Sequence, residues 1–365
     1  MVRACVMTAP DEPVEVRQLP EPTLEPGGVV LRTIYSEVCG TDVHLWHGRL
    51  AGVPYPIIPG HVSVGRVEAT GGEVRDADGQ VLAAGDTVTF LDVHENCYSC
   101  WYCLVAKAST RCPKRRVYGI TYSASEGLLG GWSEKIYLKP GVRIIRLPPT
   151  LGPETFISGG CGLPTAFHAV ERATIRLGDT VVVQGTGPVG LCACVFARLS
   201  GALNVIAIGA PRLRLDMALE MGADHAISIE DAPASRRVQI VHDLTSGRGA
   251  DVVIEATGVP AAVAEGLEMV RDAGVYSVAG QYTDAGDVTL NPHRAINKKH
   301  VDIRGTWGTD FSHLYRAVQM LNKYRERFPW TEMISRYYGL EQANEALRDV
   351  EAGRVVKAVV RPGAG

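Results

Sequence analysis

From about residue 166 the chain alternates between continuous apolar runs and amphipathic stretches. Thr180-Val181-Val182-Val183-Gln184 has no polar residue inside it, as expected of a strand covered on both faces. A Gly-rich turn and a helical stretch over 189–200 follow. Asn204-Val205-Ile206-Ala207-Ile208 reads as a second strand, with a helix near 213–221. Further strands read at 251–255 and 274–279. Buried strands alternating with helices predict a doubly wound parallel sheet.

The first 160 residues have a different texture. Short β-branched runs, such as 29–35 and 65–69, lie between turn signals at Glu25-Pro26-Gly27-Gly28, Ala77-Asp78-Gly79 and Ala84-Gly85-Asp86. This predicts a small, irregular β-barrel-like domain. After residue 305 the chain offers helices over 313–324 and 340–352 and a closing strand over 355–360. That tail is too short for a core of its own and is expected to pack back on the first domain. The predicted division is 1–163, 164–304 and 305–365, with a cysteine-rich lobe over about 94–115.

Composition narrows the function classes. Of 365 residues, 46% are hydrophobic and 21% charged, and the net charge is −3, so no basic surface invites nucleic acid or a membrane. No apolar run approaches the ~20 residues of a membrane span. The N-terminal residues lack the apolar stretch of a secretory signal, which points to the cytoplasm. Nine cysteines in reducing surroundings then call for metal rather than disulfides. Cys5, Cys192 and Cys194 sit in apolar stretches and read as core.

Gly185-Thr186-Gly187-Pro188-Val189-Gly190 is a G-x-G-x-x-G placed after a buried strand and opening a helix, the context of a dinucleotide site rather than of a bare tight turn. An acid usually follows about 20 residues on, where it bonds the ribose of NAD. Here the stretch is Ile208-Gly209-Ala210-Pro211-Arg212-Leu213-Arg214. Gly209 leaves room, and Arg212 or Arg214 could face a 2′-phosphate. The choice leans to NADP(H), although both arginines read equally well as solvated helix positions.

Cys97, Cys100, Cys103 and Cys112 supply four thiolates over sixteen residues, suited to a closed tetrahedral structural zinc. A redox Cys-x-x-Cys is the rival reading, without thioredoxin-like context. Cys39, His61 and Cys161 stand apart from these. Taken singly each reads as core, but together they make the three-ligand set of a catalytic zinc with an open position.

In order along the chain, Cys39-Gly40-Thr41-Asp42-x-His44, Gly60-His61, the four-cysteine lobe, Gly160-Cys161-Gly162 and the Gly-rich turn resemble the zinc-dependent medium-chain dehydrogenase/reductase (alcohol dehydrogenase) family. The resemblance covers essentially the whole chain. It implies an α/β fold: a GroES-like β-barrel catalytic domain plus a Rossmann doubly wound parallel sheet. It implies catalytic zinc on Cys39, His61 and Cys161, with Thr41 bonding the substrate oxygen. His44 would end the proton relay, and Asp42 would fix the tautomer of the ligand histidine. Thr165 and Val189 would line the nicotinamide, and Thr257-Gly258 and Ala279-Gly280 would cover the ribose and carboxamide. The implied reaction moves hydride between NAD(P) and a small-molecule alcohol or carbonyl, in a homodimer or homotetramer.

Two departures stand out. The last lobe spacing is eight residues rather than seven, and the family's Gly-His-Glu is Gly60-His61-Val62. In the polyol-dehydrogenase branch that glutamate is a zinc ligand, and elsewhere it lies behind the metal; Val62 can do neither. The segments 275–280 and 301–307 look closest to a bacterial branch found beside specialised metabolism, so a polyol or cyclitol-like substrate is one expectation. A zinc-independent enoyl or quinone reductase and a non-catalytic zinc-stabilised nucleotide-binding protein remain as alternatives. Trp46, His47, Leu50, Tyr55 and Trp307 read as pocket lining or as core.

Overall fold

The computed structural model describes residues 1–363 and divides into two compact units. The first comprises residues 1–160, 310–325 and 331–365, and the second residues 161–309 and 326–330.

In the first unit β1 (Val2–Val6) and β2 (Glu15–Leu19) form a hairpin. The long β3 (Val29–Val38) leads into α1 (Gly40–Trp46) and returns as β4 (Ser63–Thr70). Next come β5 (Thr87–Phe90) and the short pair β6 (Val93–His94) and β7 (Arg116–Val117), which brackets α2 (Trp101–Leu104). After β8 (Lys135–Leu138) and β9 (Ile144–Arg146), α3 (Pro153–Gly159) ends the stretch.

The second unit starts on α4 (Gly162–Ala173). Then β10 (Thr180–Gln184), α5 (Pro188–Leu199), β11 (Asn204–Gly209), α6 (Arg212–Glu220), β12 (His225–Ser228), α7 (Ala234–Leu244), β13 (Ala250–Glu255), α8 (Pro260–Met269), β14 (Val270–Val278) and β15 (Asp302–Gly305) alternate. All neighbours in this sheet are parallel, in the order β12-β11-β10-β13-β14-β15. The strand order reverses between β10 and β13, the position where doubly wound sheets bind ligands beyond their carboxyl ends. Val181, Val182 and Val183 are fully buried, which is why that strand carries no alternation. Ile206, Ile208, Val253, Leu267 and Tyr276 pack with Val182 in the core of this unit.

The chain re-enters the first unit with α9 (Phe311–Lys323), β16 (Ile334–Tyr338), α10 (Ala343–Glu351) and β17 (Lys357–Val360). There β17 pairs antiparallel with β3, in a sheet of order β16-β17-β3-β4-β5-β9, with β8 also on β3. Leu31, Val67, Val88, Phe90, Tyr118 and Ile136 fill its core. Full burial of such side chains contributes about 1.5–3 kcal/mol each. Sequence patterning placed the strand at 355–360 and the helix at 340–352; the regular elements are shorter, because 340–342 is a 3₁₀ turn before α10. No helix among the described residues is long and apolar enough to cross a membrane.

Candidate active site and metal centres

Cys39 lies immediately after β3 and caps α1. Its Sγ accepts from the Thr41 amide at 3.3 Å. The Asp42 carboxylate accepts from the Cys39 amide at 2.9 Å and from the Gly60 amide at 3.4 Å. Asp42 thus joins the two backbones that carry Cys39 and His61. The sequence expectation was that it fixes the imidazole tautomer; instead His61 Nδ1 is a buried nitrogen with no hydrogen-bond partner. Burial raises the Asp42 pKa against the lowering effect of His61.

His61 Nε2 faces Oε1 of Glu37 at 3.5 Å. Burial alone would depress this imidazole, but Cys39, Glu37 and Asp42 surround it with negative charge and hold its pKa up at about 9. Ligand atoms of Glu37, Cys39 and His61 lie within 4.8 Å of one another. A buried imidazole beside a cysteine sulfur and a carboxylate is a donor set that suits zinc. Cys161 caps α4 in the second unit, one residue beyond Gly160, with its carbonyl accepting from Thr165 at 3.3 Å.

Glu37 had no place in the sequence reading. It is fully buried, and so is its ion-pair partner Lys357. Gly160 has φ +49°, and a Cβ there would collide with the Glu37 carboxylate and the Lys357 ammonium, so glycine is required on both counts. The signal available in sequence was spacing: Glu37 and Cys39 are two apart and therefore share a strand face.

Thr41 is half-buried on the first turn of α1, with His44 one turn on. His44 Nδ1 is buried without a partner. Burial lowers its pKa, assisted by Arg49 and His47, so the imidazole is neutral at pH 7. The pocket candidates are mostly engaged in packing. Trp46 Nε1 donates to the Glu12 carbonyl at 3.0 Å, and Tyr55 OH donates to the Leu45 carbonyl. His47 is clamped between Asp11 at 2.7 Å and Glu351 at 2.8 Å. Trp307 stacks on Tyr282 and donates to its carbonyl at 3.2 Å. Leu50 is half-buried.

The four lobe cysteines gather with their sulfurs within 4.8 Å of one another. Cys97 and Cys112 sulfurs are 3.6 Å apart, as are those of Cys100 and Cys103. Four sulfurs at about 2.3 Å from one zinc would stand roughly 3.8 Å apart, so the thiolates fit a tetrahedral ion. Among the described residues no two cysteines are joined in a disulfide.

In the second unit the turn 185–190 leaves β10 at the switch point. Gly185 has φ +102°, and a Cβ there would press 2.6 Å from the Ala256 carbonyl oxygen. A Cβ at Gly190 would overlap the Gly185 carbonyl, whereas one at Gly187 would meet nothing within 4 Å. Pro188 is the first residue of α5, and no side chain caps that helix. Its first N–H groups therefore have no capping side chain, a fit for a pyrophosphate. Gly162 abuts Pro188, where a Cβ would come 2.7 Å from the carbonyl oxygen. The start of α4, with Cys161 and Thr165, thereby lies against Val189.

At Gly209 the expected room is taken by Thr186, whose hydroxyl would lie 2.2 Å from a Cβ there. Arg212 pairs with Asp216 at 2.8 Å on the exposed face of α6, and the Arg214 guanidinium is half-buried. No carboxylate stands at the end of β11. Glu255 is the other residue that sequence reasoning passed over. Fully buried at the end of β13, it accepts from Thr257 N and Oγ1 at 2.6 Å each and from Gly258 N at 2.8 Å. Gly280 N donates to it at 3.1 Å. One carboxylate therefore ties together both loops, 257–258 and 279–280, assigned to the cofactor.

Comparison with known proteins agrees with this layout. Residues 25–149 match the model described as alcohol dehydrogenase GroES-like domain, and residues 188–323 match that of zinc-binding dehydrogenase. The chain is 34% identical over 360 residues to 5-exo-hydroxycamphor dehydrogenase of Pseudomonas putida, covering 98% of each. It is 32% identical over 295 residues to erythritol/L-threitol dehydrogenase of Mycolicibacterium smegmatis, covering 78% of this chain and 77% of that one. The crystal structure of an alcohol dehydrogenase from Thermotoga maritima superposes with a TM-score of 0.93 at 32% identity, covering 99% of both chains.

Proposed function

The chain belongs to the zinc-dependent medium-chain dehydrogenase/reductase family, and from that premise we propose that it moves hydride between NADP(H) and a secondary alcohol or ketone carbon of a compact alicyclic or polyhydroxylated molecule. As a class it is an alcohol oxidoreductase dependent on zinc and NAD(P).

His61 carries the reading: its buried imidazole stands with Cys39 in one cluster of ligand atoms, the donor set of a zinc site. Cys161 is the proposed third donor. Zinc, when bound, polarises a carbonyl and lowers the pKa of an alcohol. Thr41 then hydrogen-bonds the substrate oxygen, and neutral His44 accepts the departing proton on a ring nitrogen. The Gly-rich turn holds the pyrophosphate at the start of α5, and Thr165 and Val189 position the nicotinamide. Absence of an acidic residue at the end of β11 supports NADP(H); Arg212 is paired with Asp216, and Arg214 is the residue proposed to receive a 2′-phosphate. Homodimeric or homotetrameric assembly in the cytoplasm belongs to the same proposal.

The test is a panel of cyclic alcohols, polyols and their ketones with both cofactors, read beside metal content. We expect about two zincs per chain. His61→Ala should lose one zinc and nearly all turnover, while NADP⁺ should exceed NAD⁺ in kcat/KM. Unchanged turnover in His61→Ala would overturn the catalytic zinc, and kcat/KM for NAD⁺ at or above that for NADP⁺ would overturn the cofactor choice.

A further inference from the structure

The family's glutamate after the ligand histidine is Val62 here, yet a buried carboxylate still faces that histidine. It comes from the neighbouring strand. Ser36 pairs with Ser63 in the β3–β4 ladder, so antiparallel register sets Glu37 directly opposite Val62. The Glu37 amide donates to the Val62 carbonyl at 3.2 Å, as that register requires. Residues opposed across an antiparallel pair put their Cβ atoms on one face, about 4.5–5.5 Å apart. A carboxylate at 37 therefore reaches the same space as one at 62.

Its surroundings hold it in that direction. Lys357 engages Oε2, which leaves Oε1 turned toward His61 Nε2. The Trp132 indole donates to the Glu37 carbonyl at 2.8 Å, and Gly160 leaves room for the head group. Lys357 reaches this point because β17 lies on β3, with Val359 opposite Glu37. A fully buried carboxylate whose only role was to neutralise a lysine would have no reason to place its second oxygen among Cys39 and His61.

We propose that Glu37 is the carboxylate donor to the metal held by Cys39 and His61, transferred across the strand pair from position 62 to position 37, with Lys357 setting which oxygen faces the ion. Lys357 is a positioning residue that acts through Glu37. This rests on the catalytic-zinc reading above and adds a ligand to it.

The experiment substitutes cobalt for zinc in the full-length protein and records its visible absorption, together with the rate at which a chelator removes each zinc. The four-cysteine lobe serves as internal reference. Glu37→Gln should shift the cobalt bands and speed release of the non-lobe zinc roughly tenfold or more, in the range usual for residues that tune a metal site. Glu37→Gln/Val62→Glu, which returns the carboxylate to the opposite strand, should recover the wild-type spectrum and slow release. Because Glu37→Gln leaves a buried lysine without its partner, Glu37→Gln/Lys357→Met removes both charges and should show the same spectral shift. Lys357→Met alone keeps the carboxylate and should change the spectrum less than either. Two zincs in wild type, with an unaltered spectrum and release rate in both Glu37→Gln and Glu37→Gln/Lys357→Met, would overturn the assignment while leaving the catalytic zinc in place. A single zinc in wild type would overturn both.

Discussion

Glu255 shows how one side chain sets the form of the proposed cofactor site without being recognisable in sequence. In the run Asp251-Val252-Val253-Ile254-Glu255 it reads as the polar end of a buried strand. Its four donors come from positions 257, 258 and 280, and only folding brings the last of these near. Glu255→Gln keeps the size but sets an NH₂ against N–H donors, and unsatisfied buried donors cost about 1–3 kcal/mol. The expected result is a lower melting temperature and a KM for the cofactor raised by about tenfold, with kcat changed less; steady-state kinetics at saturating substrate measures both. Glu37 was hidden for the same reason, since its partners lie 24 and 320 residues away. The lobe cysteines were legible because their spacing is written locally, whereas Cys39 and His61, far apart in the chain, were singled out only together and through the family resemblance. Gly209 misled because Thr186 fills the gap it leaves.

At the scale of elements, buried strands were readable from their lack of alternation, and Val181, Val182 and Val183 bear this out. Short elements were not. The helix α2 buries none of its four residues, and Trp101, Leu104 and Val105 on and beside it are exposed. Packing therefore does little to hold this lobe, and its shape depends on four sulfurs and the two-residue pair β6–β7. Metal binding to such a segment is folding energy. Cys100→Ser should release the lobe zinc and make residues 97–112 the first site of proteolysis, while cobalt at Cys39 and His61 keeps its spectrum. Limited proteolysis followed by mass spectrometry reads the first effect, and absorption the second.

At the scale of the molecule, the tail completes the first unit. The strands β16 and β17 extend the sheet through β3, and Lys357 supplies the counter-charge for Glu37. A chain ending at residue 333 would leave β3 with an open edge and Glu37 buried without its ammonium, a loss of the order of 3–5 kcal/mol for the charge alone. We expect such a chain to aggregate or to melt without a cooperative transition for the first unit. Residues 161–309 should keep a parallel-sheet signature, and calorimetry with circular dichroism tests both.

The bond between Glu37 and Lys357 also has a bearing on the order of events during synthesis. The two residues are 320 positions apart, and at about 5–20 residues per second the ribosome needs roughly 15–60 s to travel between them. Throughout that interval the edge of β3 awaits its neighbour, and the whole sheet of the second unit is made within it. Zinc placed at Cys39 and His61 before then would meet a carboxylate not yet steadied by its lysine. The finished metal centre is thus an event of chain release rather than of early folding, and a nascent polypeptide stalled before residue 357 should hold this zinc less firmly than the released protein.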